Sequence, residues 1–266
     1  MVNLSHIRAP LFVPASRPER FAKAAGSGAD AIILDLEDAV AIADKDTARD
    51  ALRTDFTDLP VIVRINAAGT AWHPKDMAAV RALAPSAVML PKSEYLAEVS
   101  ATVAALQGIP LIALIETAKG LSNARAIAAL KGVERLAFGS VDYCADLGCH
   151  HLRDVLLPVR SELVLASRLA GIAAPIDGVT TQLDDLAVSF DDALHARHMG
   201  MTGKLCIHPK QIADVLRAFA PSAAEIDWAR RVLESGDGAV SVDGAMVDEP
   251  VRIRARAILA AQRGAG

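Results

Sequence analysis

Leu111-Ile112-Ala113-Leu114-Ile115 is an unbroken apolar run, and it ends abruptly at the carboxylate Glu116. Two further runs repeat the pattern. Leu136-Ala137-Phe138 leads through Gly139-Ser140 to Asp142, and Val61-Ile62-Val63 ends at Arg64. A strand buried on both faces of a parallel sheet reads as a continuous hydrophobic run, and a charge at its C-terminal end faces the rim where active sites collect. Glu116 and Asp142, each just beyond such a run, together have the look of a metal site.

Working outward, short apolar runs at 11–15, 31–36, 61–65, 87–90, 111–115, 135–138, 176–179 and 204–207 alternate with longer amphipathic or Ala-rich stretches. The latter, at 18–27, 45–56, 74–83, 97–106, 120–130, 154–170, 183–199 and 209–219, read as helices. Pro18, Pro74 and Pro209 stand where a helix can begin, a position that needs no backbone N–H. Regular β-α alternation implies parallel strands joined by right-handed crossovers. Eight such units predict a (β/α)8 TIM barrel. The rival, an open doubly wound sheet, lacks support because no GxGxxG follows the first strand.

The boundaries predicted are a barrel over 1–235 and a C-terminal loop and helix over 236–266. Composition shifts only at the glycine-rich SGDGAVSVDG (235–244), which reads as a loop or short hairpin, and a helix follows at 250–263. Arg252, Arg254, Arg256 and Arg263 in that helix read as a solvated face.

The 266 residues suit one α/β barrel. Hydrophobic residues make up 52% and aromatics only 4%, so Ala, Val, Ile and Leu carry the burial. A net charge of −4, with basic residues scattered, gives nucleic-acid binding no support. No apolar run approaches the ~18–20 residues of a membrane span, and the first ten residues lack the apolar core of a signal peptide. Cys144, Cys149 and Cys206 read as reduced thiols, which makes a cytoplasmic location the expectation. Cys144 and Cys149 with His150 and His151 fit no common zinc spacing.

The strand ends collect a polar set that includes Ser16-Arg17, Glu37-Asp38, Arg64, Lys92, Glu116, Asp142, Asp177 and His208. Two carboxylates from neighbouring strands suit Mg²⁺, which keeps several waters and takes the rest from substrate. Arg64 offers a planar fork for a carboxylate or a developing oxyanion. The patterning alone leaves open that Arg64 and Glu116 only form an ion pair across the barrel mouth.

The segments LFVPASRPERFAKAAGSGADAIILDLEDAVAIADKDTAR, VIVRINAAGTAWHPKD, VMLPKSE, LIALIETAKGL, RLAFGSVDYCADLG, PIDGVTT, GKLCIHPKQI and MVDEP follow one another in order. Together they resemble the citrate lyase β-subunit family of metal-dependent barrel aldolases and lyases. The resemblance implies Mg²⁺ on Glu116 and Asp142, and Arg64 on the oxygen of a 2-oxo acid or enolate. It implies that Glu37 and Asp38 hold Arg64 and metal-bound water. By the same resemblance Asp248, in MVDEP, reaches the site of a neighbouring subunit as proton donor, in a homotrimer or hexamer. Arg17, Arg20, Lys23, Ile207 and His208 become the candidates for coenzyme A (CoA). From the residues alone His208 could be a general base, but a helix-start residue that orients a loop is the preferred reading. The implied reaction is reversible Claisen cleavage of a 3-hydroxyacyl-CoA (malyl-, citramalyl- or citryl-CoA) to a 2-oxo acid and acetyl-CoA. A CoA-independent 2-oxo acid aldolase and the β subunit of an acyl-carrier-linked complex remain the alternatives.

Overall fold

The computed structural model describes residues 3–236 and 238–263. Eight parallel strands run in chain order: β1 (Pro10–Pro14), β2 (Ala31–Asp35), β3 (Val61–Arg64), β4 (Ala87–Leu90), β5 (Leu111–Ile115), β6 (Val133–Phe138), β7 (Ala173–Asp177) and β8 (Gly203–Lys204). The two edges meet. Leu11 bridges Cys206 in parallel, Phe12 N–H donates to the Cys206 carbonyl at 2.9 Å, and Cys206 N–H donates to that of Pro10 at 2.9 Å. The sheet is therefore a (β/α)8 barrel.

Every residue of β2, β3, β4 and β5 is buried, as expected for strands lined inside and covered by helices outside. Alternate positions fill the interior. Ala31, Ile33, Ile62, Ala87, Met89, Ile112, Leu114, Ala137, Ile176 and Leu205 form one cluster with Leu4 and Ile7. The floor carries a charge: fully buried Arg135 donates to the carbonyls of Leu4 (2.6 Å), Ile7 (2.8 Å) and Ala174 (2.8 Å), and to Thr202 Oγ1 (2.9 Å). Burial without a touching carboxylate lowers its pKa.

The helices between these strands are α1 (Phe21–Ala25), α2 (Lys45–Asp50), α3 (His73–Leu83), α4 (Leu96–Ala105), α5 (Ala118–Ala128), α6 (Ser140–Leu147), α7 (Arg153–Ala170) and α8 (Leu186–His198). The second strand-to-helix link is tighter than its pattern suggests, because α2 ends at Asp50 rather than running to 56. The last two strands also differ. β7 starts at Ala173 and stops before Gly178, and β8 pairs over two residues only, since Cys206 leaves β7 to bridge Leu11. The turn at 209–211 enters α9 (Ile212–Phe219).

The chain divides into two compact units, Met1–Leu216 and Arg217–Gly266. The second holds α10 (Ala223–Glu234), a hairpin of β9 (Val240–Val242) and β10 (Ala245–Val247), and α11 (Glu249–Arg263). Its core joins Ala229 and Val232 of α10 to Val247, Ala255 and Ile258. This packing groups α10 with the tail, so the unit begins earlier than the boundary after residue 235. Arg252 is buried rather than solvated and donates to the Gly236 and Gly238 carbonyls at 2.6 and 2.8 Å. The Arg263 side chain lies outside the described residues. No helix among the described residues is long and apolar enough to cross a membrane.

Candidate active site

β2 and β3 pair with Asp35 opposite Arg64, so a carboxylate and a guanidinium reach the rim side by side. They form a bidentate pair: Arg64 Nε donates to Asp35 Oδ1 and Nη2 to Oδ2, both at 2.7 Å. Asp35 Oδ1 also accepts the Glu37 N–H at 2.9 Å, and Oδ2 the Ala39 N–H at 3.2 Å. Arg64 Nη1 stands 3.0 Å from Glu37 Oε2, close enough for attraction though not aligned as a hydrogen bond. The Phe12 ring lies 4.8 Å from Arg64 Cζ. Burial works against the Arg64 cation, yet the Asp35 and Glu37 charges outweigh it and raise its pKa.

Glu116, next after β5, is 1% exposed. Its Oε1 accepts the Lys92 N–H at 2.7 Å, while Oε2 is buried without a hydrogen-bond partner. Lys92 takes a left-handed backbone (φ +47°) and sends Nζ to Glu37 Oε1 at 2.8 Å, so one residue ties both carboxylates. Burial, and then the charge of Glu37, push the Glu116 carboxyl up to about 8. Burial likewise raises Glu37, against the pull of Arg64 and Lys92. Gly139 is required beside this group, since a Cβ there would stand 2.4 Å from Glu116 Oε2.

β6 ends at Phe138, and Gly139 turns the chain into α6 with Asp142 in its first turn. Glu116 and Asp142 both line a cavity of about 200 Å³, with Asp35, Asp38, Arg64, Ser140 and an apolar wall that includes Phe12, Leu114, Phe138 and Val179. A metal fits this set. Glu116 offers a buried carboxylate oxygen without a partner, a second carboxylate lines the same cavity, and one or two carboxylates are what Mg²⁺ takes from protein. Among the described residues no three His, Cys, Asp or Glu side chains make a fuller cage.

A second cavity, about 450 Å³, shares Phe12 and Ile207 with the first and is lined by Arg20, Lys23 and His208. Four of the five residues expected to meet CoA are thus brought together. Arg17 is not among them, because its Nε is held by Glu19 at 2.6 Å on the surface. His208 begins the 209–211 turn, its Nδ1 accepting the Lys210 N–H at 3.1 Å. Asp177, expected at the rim, is buried in an ion network with Arg160 (2.8 Å) and Lys204 (3.0 Å). Burial opposes its charge, but Lys204 and Arg160 prevail and lower its pKa. Asp38 is exposed at the cavity edge, and the strand carboxylate that grips Arg64 is Asp35, which the sequence reading passed over. Asp248 lies in the second unit, where its Oδ1 accepts the Val251 N–H at 3.4 Å at the start of α11.

The HpcH/HpaI aldolase/citrate lyase family model matches residues 8–209. A citrate lyase subunit beta-like protein of Mycobacterium tuberculosis is 43% identical over 260 residues, spanning 94% of this chain and 93% of that protein. A (3S)-malyl-CoA thioesterase of Cereibacter sphaeroides is 34% identical, spanning 98% and 96%. Among solved structures, M. tuberculosis CitE in complex with magnesium, acetoacetate and coenzyme A superposes with a TM-score of 0.88 at 41% identity, covering 98% of this chain and 100% of that one. With the family match and the barrel in agreement, this chain belongs to the HpcH/HpaI aldolase/citrate lyase family of lyases and aldolases.

Proposed function

We propose that the chain is an Mg²⁺-dependent carbon–carbon lyase that cleaves, or in reverse forms, a 3-hydroxyacyl-CoA, exchanging it for a 2-oxo acid and acetyl-CoA. The observation that carries this reading is the cavity in which Glu116, Asp142 and Arg64 converge, opening beside a second cavity lined by Arg20, Lys23, Ile207 and His208. The CitE neighbour that holds magnesium, acetoacetate and coenzyme A together supports it.

Glu116 and Asp142 would hold the metal, which when bound supplies Lewis acidity and lowers the pKa of the substrate hydroxyl. Breaking the carbon–carbon bond leaves the new 2-oxo acid and a thioester enolate. Arg64 presents fixed positive charge where that oxygen becomes negative, preorganised by the Asp35 clamp and by Glu37. Glu37 stands beside the guanidinium, and Glu37 with the exposed Asp38 would hold water at the rim. The enolate then takes a proton to become acetyl-CoA, and Asp248 of a neighbouring subunit is the proposed donor, which makes the working unit a homotrimer or hexamer. Cys144, Cys149 and Cys206, all free thiols, suit a cytoplasmic enzyme.

The test is turnover by the purified chain alone, with Mg²⁺, on malyl-, citramalyl- and citryl-CoA. Cleavage that stops on chelation is expected. Activity only on a thioester carried by an acyl carrier protein, or only on free 2-oxo acids, would overturn the CoA assignment.

A further inference from the structure

We propose that Cys144 and Cys149 form a redox-active dithiol that closes reversibly into an intramolecular disulfide beside the active-site rim. The geometry follows from how α6 ends. Gly148 caps the helix in a left-handed conformation (φ +66°), and the Cys149 N–H returns to the Cys144 carbonyl at 3.0 Å. That six-to-one bond defines a helix-ending motif that is frequently accompanied by a contact between the side chains at its two anchor positions. Here both anchors are cysteines, joined by that backbone bond across the αL residue Gly148. The pair is asymmetric: Cys144 is buried at 8% exposure, whereas Cys149 is half-buried and open to a reagent from solvent. Cys206, buried at 0% where it bridges Leu11, has neither feature.

The placement gives the pair something to act on. The first turn of α6 carries Ser140 and Asp142 into the cavity, and the loop after Cys149 carries His151, whose Nε2 stands 2.9 Å from Ser140 Oγ. A bond between 144 and 149 would tie the loop that bears His151 to the helix that bears Ser140 and Asp142. An oxidant of the small-molecule disulfide class, such as oxidised glutathione, closes it in two exchanges. The Cys149 thiolate attacks one glutathione sulfur and expels the other as thiolate, and the Cys144 thiolate then attacks Cys149 Sγ and expels the second. The protein loses two thiol protons and two electrons, and one glutathione disulfide becomes two glutathione thiols. In a reducing compartment such a bond is transient and regulatory rather than structural.

The full-length protein with Mg²⁺ present should be incubated with oxidised glutathione and read by intact mass and by peptide mapping. The expected product is lighter by two hydrogens, carries a 144–149 cross-link, and reverts with dithiothreitol. Amide exchange over 148–152 should slow in the oxidised form. Cys144→Ser should instead accumulate a stable glutathione adduct on Cys149, because nothing resolves it, and Cys149→Ser should form no cross-link. A wild-type protein that keeps a persistent glutathione adduct, remains unreacted, or links either residue to Cys206 would overturn the proposal and leave the pair as an apolar contact of the helix end. Because the readouts are masses and exchange rates, this outcome is independent of whether the lyase assignment holds.

Discussion

Replacing Asp35 by alanine is the most revealing perturbation of this site. Asp35 is 1% exposed and accepts four hydrogen bonds: two from Arg64 at 2.7 Å, one from the Glu37 N–H at 2.9 Å and one from the Ala39 N–H at 3.2 Å. Removing one partner of a buried ion pair costs about 3–5 kcal/mol, because the other charge is left in a poorly solvating place. Glu37, 3.0 Å from Arg64 Nη1, remains and shifts the ion-pair loss toward the lower end. The two backbone amides add about 0.5–1.5 kcal/mol each. A total of about 4–6 kcal/mol is therefore expected, within the additivity that a neighbouring pair permits. The assay is a double-mutant cycle of Asp35→Ala, Arg64→Ala and the pair, by urea denaturation followed in near-ultraviolet circular dichroism. The double variant should be less destabilised than the sum of the single variants by roughly 2–3 kcal/mol, the upper part of the coupling seen for contacting groups. Additive losses, or an Asp35→Ala cost below about 1 kcal/mol, less than one typical buried interaction, would refute the reasoning that Asp35 holds the guanidinium.

Glu116→Gln or Asp142→Asn should abolish Mg²⁺-dependent turnover with the circular dichroism spectrum intact, and calorimetry should detect no Mg²⁺ binding; full activity in chelator would exclude the metal role. The Glu116 carboxyl sits at about 8 in the folded chain against an ordinary 4.5, so the metal-free fold holds a proton that the unfolded chain has lost. Metal-free stability should therefore fall as pH rises between those values, and the melting temperature of Glu116→Gln should exceed that of the wild type at high pH. Arg64→Lys keeps the charge but loses the fork, and kcat/KM should drop by roughly 10²-fold or more in steady-state assays, the scale of a lost oxyanion donor. Mixing Asp248→Ala with Arg64→Ala under verified subunit exchange should restore activity in some mixed oligomers, whereas two inactive proteins that stay inactive would mean that Asp248 does not act in trans.

The barrel was legible because its strands are nearly uniform in character. Runs such as Leu111–Ile115 carry no polar interruption, so both their length and their burial are written in composition. The rim was legible in part, and the miss at Asp35 is instructive. Flanked by Leu34 and Leu36, it was absorbed into an apolar run. Side-chain parity would have found it: Ile33, Ile62 and Leu114 point into the barrel, and two residues further on stand Asp35, Arg64 and Glu116. α10 was equally available, since Ser222 and Glu225 bond reciprocally as a capping box. Other features were not written locally. That β8 pairs over only two residues follows from closure of the ring, and that Asp177 is sunk in an ion network rather than exposed depends on Arg160, from a helix whose rotation no strand pattern specifies.

The sealed floor also has a kinetic consequence. With Leu4 and Ile7 packed beneath the ring and Arg135 lashed to their carbonyls, the barrel is a cup rather than a tube. Whatever reaches Glu116 arrives, and departs, over the same lip, where Phe12 and Ile207 stand between the two cavities. For a reaction with one long and one short product, traffic at that lip would impose an order: an acid held at Glu116 could leave only past a thioester lodged in the second cavity. In such a vessel a retained small acid would compete with the whole substrate, a returning thioester would rebuild the complex that reacts in reverse, and the pattern of product inhibition becomes a reading of the architecture.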